Sequence, residues 1–252
     1  MRHLIAGVVV LIFSSTSWAK LEITKVESAH GMLGPERKTL DFCPLDELFF
    51  RYQVSGVKTD ADGKTDVEVT MTLANPNGKV VVDQKTPVRR QLSLGANSYP
   101  AFAVLAVPEK APPGEYTFVV KVTDRLASET ASFEKKLTCK STTYQIIVPR
   151  FSRDDDGKIP APAGGILGES IHFKLRVVGF DKSKKKVQTT LTMTILNEVG
   201  KATTEKPQII KAELNNPDEA AKATQVNFNG IIYLNRTGNF TVKFSVEDTI
   251  AK

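Results

Sequence analysis

Apolar and polar side chains alternate along most of this chain. Val67, Val69, Met71 and Leu73 fall on one side of an extended backbone, and Asp66, Glu68, Thr70 and Thr72 on the other. A period of two is the strand period, in which successive side chains leave opposite faces of a sheet. One dry face and one wet face mark antiparallel strands that pack on one side only. Turn-forming clusters separate the runs at Asp62-Gly63, Asn75-Pro76-Asn77-Gly78, Pro112-Pro113-Gly114, Glu198-Val199-Gly200 and Arg236-Thr237-Gly238. Short strands at such intervals predict a sandwich or a barrel. The pattern places strands over residues 21–28, 47–55, 65–74, 79–84, 99–107, 115–124 and 128–138, then 144–151, 169–179, 186–196, 206–212, 224–234 and 239–248, with a helical turn at 217–223.

The second set of strands repeats the first. Phe50, Tyr52, Val54 and Gly56 recur 123 residues later as Phe173, Leu175, Val177 and Gly179, and Val69, Met71 and Leu73 recur 122 later as Leu191, Met193 and Ile195. Tyr116, Phe118, Val120, Val122 and Asp124 return 124 residues on as Phe240, Val242, Phe244, Val246 and Asp248. The offset changes only between strands, so the inward side chains are kept while the connections drift. The repeat divides the chain into a first unit over 20–142 and a second over 143–252, joined by a short polar hinge at 138–143. Each unit is long enough to bury its own core.

Residues 1–19 read as a signal peptide: Arg2, an apolar run from Leu4 to Phe13, and small residues at Ser17 and Ala19. The run is too short to span a bilayer, although a retained anchor stays open as the other reading. No later segment is apolar for long enough to cross a membrane. The expected location is extracytoplasmic, periplasmic or secreted. Removing the leader takes one arginine and no acid, which lowers the formal charge from +6 to +5. Such a balance allows weak attraction to an anionic surface polymer but fixes no ligand. No nucleic-acid-binding motif is present, and export would remove that partner.

The stretch from Pro112 to Asp124, with its echo from Thr237 to Asp248, resembles the penultimate strand of bacterial immunoglobulin-like domains. The resemblance implies an all-β fold of two tandem immunoglobulin-like antiparallel β-sandwiches, in which Gly114 and Gly238 make the turn while Tyr116 and Phe240 plug the core. It sets the chain apart from antibody domains, whose core tryptophan is missing because Trp18 lies in the leader. In such a sandwich a short strand before the second runs parallel to the last, so Cys43 and Cys139 would lie close together. An oxidising compartment then favours a Cys43–Cys139 disulfide, with two buried free thiols as the alternative.

The pattern leaves the second unit one strand short. After Asp248 come only Thr249, Ile250, Ala251 and Lys252, where the first unit has the run 128–138. Three readings stay open: a sandwich that tolerates the gap, a strand-addition partner along residues 239–248, or a shortened product.

Little in the chain points to catalysis. His30 and His172 are the histidines beyond the leader, and no nucleophile elbow, zinc-binding helix or phosphate loop occurs. The expected cofactor list is empty. Asp60, Asp62 and Asp66 bring carboxylates near a glycine, as calcium sites do, but the corresponding loop from Asp181 to Lys186 replaces acids with lysines. A plain hairpin loop accounts for both, and for Asp154-Asp155-Asp156-Gly157. Lys182, Lys184, Lys185 and Lys186 form a basic turn suited to an anionic ligand, or simply to water. Tyr99 and Tyr233 are the tyrosines with a chance of exposure. Together these features predict an exported, non-catalytic binding, adhesion or scaffold protein of the cell envelope, with an envelope protein or anionic polymer as partner. The alternative is a periplasmic chaperone-like or inhibitor-like protein that captures an extended segment at the open edge of the second unit.

Overall fold

The computed structural model describes residues 20–251, so the leader assignment lies outside the described residues. The first sandwich is built from β1 (Glu22–Ala29), β2 (Asp41–Phe42), β3 (Glu47–Ser55), β4 (Val67–Ala74), β5 (Val80–Val88), β6 (Ser98–Ala106), β7 (Gly114–Asp124) and β8 (Glu129–Cys139). The second comprises β9 (Gln145–Ser152), β10 (Ser170–Val178), β11 (Val187–Leu196), β12 (Gln208–Leu214), the short helix α1 (Pro217–Lys222), β13 (Gln225–Tyr233) and β14 (Thr241–Asp248). Apart from the two-residue β2, which no alternation marks, strands fall where alternation places them, within a few residues at each end.

Sheet order repeats as the side chains do. In the first sandwich the sheet β1-β3-β6 faces the sheet β2-β8-β7-β4-β5; in the second, β9-β10-β13 faces β12-β11-β14. Pairing is antiparallel throughout except for β2, which runs parallel to β8. This is the strand order of an immunoglobulin-like sandwich, and the second copy lacks the counterpart of β8 among the described residues. The turns repeat too. Asn75 Oδ1 accepts from the Lys79 amide at 3.0 Å, and Asn197 Oδ1 accepts from the Lys201 amide at 2.9 Å. Gly56 and Gly179 both end their strands at positive φ, 75° and 73°. A Cβ at Gly179 would come within 2.3 Å of the Thr143 carbonyl oxygen, so a side chain there meets backbone that cannot move aside.

The inward rows pack as aromatic contacts. Phe50 stacks on Phe118 with ring centroids 5.1 Å apart, and both are fully buried. In the second sandwich Phe173, the counterpart of Phe50, meets Phe244 at 4.9 Å. The phenylalanine on the facing strand has moved one inward position along: the first copy reads Phe118 then Val120, the second Val242 then Phe244. Swapping large and small residues between neighbouring inward sites conserves volume, which a core tolerates well.

Two expectations are corrected. The first concerns the aromatic plug. Tyr116 is buried and its hydroxyl donates to the Pro112 carbonyl at 2.9 Å, while Phe42 packs edge-on against its ring at 5.4 Å. Phe240 sits just before β14 and is 36% exposed, although Gly238 and Gly114 share positive φ values of 128° and 138°. The turn is preserved and the plug is not. Phenylalanine has no hydroxyl for the carbonyl bond, and among the described residues no strand matching β8 brings an equivalent of Leu137 to cover the ring.

The second correction is the disulfide. Both cysteines are buried free thiols. The two strand ends are neighbours as expected, but the register sets Phe42, not Cys43, opposite Cys139. Residues opposite one another share a face, so Phe42 and Cys139 both join the first core. Cys43, one residue further, turns the other way and packs with Ile147, Val148 and Val178 of the second sandwich. Burial pushes the Cys43 thiol up to about 11, with Asp46 and Cys139 adding to the effect, and burial also raises Cys139.

Two measurements follow from this architecture. Tyr116→Ala is expected to cost about 3–5 kcal/mol in chemical denaturation, as for a large aromatic removed from a core, whereas Phe240→Ala costs under about 1 kcal/mol; equal losses would contradict the asymmetry. Because the folded state raises the Cys43 pKa, it favours the neutral thiol. That contribution is fully present below the unfolded value of 9.0 and is lost as pH rises towards about 11. Tyr52, pushed up to about 12, titrates in the same direction, so the comparison is with Cys43→Ala, which should flatten the decline. Unreduced protein unfolded in denaturant should label at both thiols, and an intact disulfide there would refute the parity argument.

Candidate binding edge

The inner strand of the larger sheet shows what the second sandwich lacks. β7 is paired on both sides, to β4 through Val67↔Asp124 to Ala74↔Thr117 and to β8 through Gly114↔Cys139 to Asp124↔Glu129. Its inward Phe118, Val120 and Val122 are completely buried. β14 pairs with β11 over eight consecutive positions, from Thr189↔Asp248 to Leu196↔Thr241, with no shift in register. Its other side has no strand among the described residues. The equivalent Val242, Phe244 and Val246 are only partly buried, while Thr241, Lys243, Ser245 and Glu247 face solvent.

Both strands end on the same device. Asp124 is fully buried; its carboxylate accepts the Lys58 amide at 2.7 Å and the Leu126 and Ala127 amides at 2.9 and 3.2 Å. Asp248 accepts the Asp181 amide at 2.6 Å and the Ile250 and Ala251 amides at 2.9 and 3.4 Å. In the first sandwich this carboxylate starts the turn that launches β8. The same turn is begun after β14, and Ile250 is buried against it. The repeat marks both aspartates; their shared role as amide acceptors becomes visible only in the structure.

Among the described residues, five of the other seven edge strands are blunted. Pro87 lies in β5, Pro100 in β6 and Pro149 in β9; β1 carries a register shift between Thr24 and Glu27, and β2 is two residues long. Prolines, bulges and short strands are the usual protection against unwanted pairing. β14 has none of them, and neither do β12 and β13, which pair over seven and nine consecutive positions without a register shift.

A cleft of about 680 Å³ lies where the sandwiches meet, lined by His30, Arg37, Asp46 and Cys43 from one side and Gln145 to Pro149 from the other. Arg37 Nη2 is 2.7 Å from Asp46 Oδ2, and both side chains are largely buried. Burial, helped by Arg37, lowers the His30 pKa, which favours the neutral imidazole. The cleft is thus lined by a neutral imidazole, a protonated thiol and an ion pair already closed on itself.

The other sequence candidates disperse. Lys182 Nζ donates to the Ala221 carbonyl at 3.3 Å and lies 5.6 Å above the Phe180 ring, so it leaves Lys184, Lys185 and Lys186 rather than converging with them. Lys184 and Lys185 are exposed and Lys186 is half-buried. Asp60 Oδ1 accepts the amides of Asp62 and Lys64, both at 2.9 Å, as a hairpin turn requires. The Asp154 carboxylate takes the Ile159 and Lys158 amides, which lower its pKa. The His172 side chain is 14% exposed, more enclosed than a surface imidazole, with Nδ1 3.7 Å from Asp155. Tyr233 is 70% exposed and Tyr99 is buried at 5%.

No protein-family model and no curated protein matches the chain. Among solved structures it is similar to an immunoglobulin-like protein from Pseudomonas aeruginosa, at 19% identity and TM-score 0.28 over 49% of this chain and 99% of that one. It is similar to the C-terminal domain of the Streptococcus pyogenes antigen I/II-family protein AspA, at 8% identity and TM-score 0.33 over 92% and 96%. A third likeness is the C-terminal domain of the Streptococcus agalactiae AgI/II polypeptide BspA, at 13% identity and TM-score 0.28 over 90% and 97%. The chain spans 12% of Bacteroides uniformis β-glucuronidase and 29% of red sea bream transglutaminase, which it also matches. The fold assignment rests on the strand order and register described above.

Proposed function

We propose that this chain is an exported, non-catalytic binding or scaffold module of the cell envelope, with residues 20–142 and 143–252 as its two folding units, and that it binds by adding a strand at β14. One observation carries the reading. Phe118, Val120 and Val122 are sealed by β8, whereas their counterparts Val242, Phe244 and Val246 are left partly exposed beside a straight, unblunted strand. An added antiparallel strand would pair with backbone groups on the outer side of β14 and cover the apolar row at once. The ligand class is therefore an extended segment whose alternate positions are mostly apolar, as in the inward row of β8, where Ala131, Phe133 and Leu137 are interrupted by Lys135 opposite Phe118. An envelope protein fits this reading better than an anionic polymer, because the lysines of the basic turn do not converge.

Hydrogen exchange tests it. Amides along Thr241–Asp248 should exchange faster than those along Gly114–Asp124. A free peptide of the β8 sequence, residues 129–139 with Cys139→Ser, should slow them. Fully protected β14 amides in the isolated protein, with no response to the peptide, would rule the reading out.

A further inference from the structure

We propose that the outer face of β9, β10 and β13 is a binding site for a carboxylate-bearing saccharide; it lies on the sheet opposite the one that carries β14 and does not rest on the edge-binding reading. The side chains that this sheet turns to the core, among them Phe173, Leu175 and Phe228, are buried. Alternation sends their neighbours Lys174, Arg176, Asn227 and Asn229 outward. The register sets Arg150, Lys174 and Asn229 opposite one another across three strands, with Arg176 beside Asn227 two residues further along. These side chains line a groove of about 450 Å³, edged by Asp155 and Asp156. That volume is ordinary for a small-ligand site.

The groove keeps uncompensated positive charge. Of the acids around it, Glu47 is taken by Arg150, Asp156 Oδ2 by Lys158 Nζ at 2.6 Å, and Asp155 turns to His172, 3.7 Å from its Nδ1. Among the described residues no carboxylate pairs with Lys174 or Arg176; Arg176 gives one N–H to the Leu45 carbonyl, and Lys174 makes no hydrogen bond. Both are half-buried. Lys174 also stands directly opposite Arg150, and like charges facing each other across strands cost stability. The loop after β9 passes close enough that a Cβ on Gly157 would lie 3.7 Å from Lys174 Nζ, so it encloses the ammonium without neutralising it. A carboxylate entering here meets an ammonium already partly stripped of water and a guanidinium with donors to spare.

The rest of the face favours a saccharide over an acidic peptide. Asn227 and Asn229 are exposed, and their side-chain amides, able both to donate and to accept, make no hydrogen bond among the described residues. Further along the same side of β13 come Ile231 and Tyr233, 36% and 70% exposed. Asn229 and Tyr233 stand about 13 Å apart along the strand, longer than a single sugar ring. Cations for carboxylates, amides for hydroxyls and an exposed ring to stack on are what a chain of acidic sugars requires. β10 is paired on both flanks, so its backbone offers nothing to the main chain of a peptide laid across this face.

Calorimetric titration of the purified chain with an oligogalacturonate, a neutral glucan oligomer and poly-glutamate of similar length tests the assignment. The oligogalacturonate should bind, the neutral glucan at least about tenfold more weakly. Lys174→Gln should lower the oligogalacturonate affinity about tenfold and flatten its dependence on salt, whereas Tyr233→Ala should lower the affinity and leave the salt dependence as it was. Both side chains point outward, and circular dichroism checks that each variant is folded. An oligogalacturonate that does not bind, or binds Lys174→Gln equally well, would overturn the proposal. Poly-glutamate binding as tightly, with no effect of Tyr233→Ala, would overturn it in favour of an acidic protein or of charge alone. None of these results bears on β14, where the β8 peptide reports independently.

Discussion

Two sheets hold together here because each presents an apolar row to the other, and a row stays dry only when both flanks of the strand bearing it are covered. β7 meets that condition. β4 lies on one side and β8 on the other, and the side chains between them reach complete burial. β14 meets half of it, and the shortfall appears where coverage predicts: in Val242, Phe244 and Val246 rather than in Leu191 and Met193 of the neighbouring strand, which stay buried. The same fold is thus present twice with different degrees of closure.

What holds the end of the second sandwich in shape is partly polar. A buried carboxylate is costly unless donors surround it, and Asp124 and Asp248 each gather three backbone amides from two separate segments. Each therefore ties the end of its strand to the loop after the second long strand, at Lys58 in one copy and Asp181 in the other. These ties do not depend on β8. They explain why β14 ends in the native turn even though the next strand is missing from the described residues.

Strand positions and the repeat were legible because alternation reports directly on which side chains are inward, and inwardness is what a sandwich enforces. The parallel neighbour of β8 was legible as part of the resemblance, but the face on which Cys43 lands was not. A strand of two residues has no alternation to read, and one step of register exchanges Phe42 and Cys43 between opposite faces. Phe240 was misplaced for a related reason: matching it to Tyr116 carried over surroundings supplied by β8 and Phe42, which sequence similarity of one strand does not bring with it. The cleft was illegible because its lining comes from connections between strands. The blunted edges were written in the chain as Pro87, Pro100 and Pro149, yet they carry meaning only once sheet order says which strands are edges.

The junction decides how the open edge is presented. The link between β8 and β9 is only five residues long, and the contact around it is built from unlike parts: Cys43 against Ile147, Val148 and Val178, Arg150 paired with Glu47 and lying 5.7 Å over the Phe49 ring, and Arg176 donating to the Leu45 carbonyl at 3.4 Å. Exposed ion pairs alone hold two bodies weakly. An apolar contact that also buries a thiol adds a term that salt does not screen, and a short link leaves little entropy to oppose it. Cys43 therefore does its structural work between the sandwiches, where a bridge to Cys139 would have drawn it back into one of them. Held this way, β14 keeps a defined direction relative to the first sandwich, so any strand that joins it is received by a preset surface.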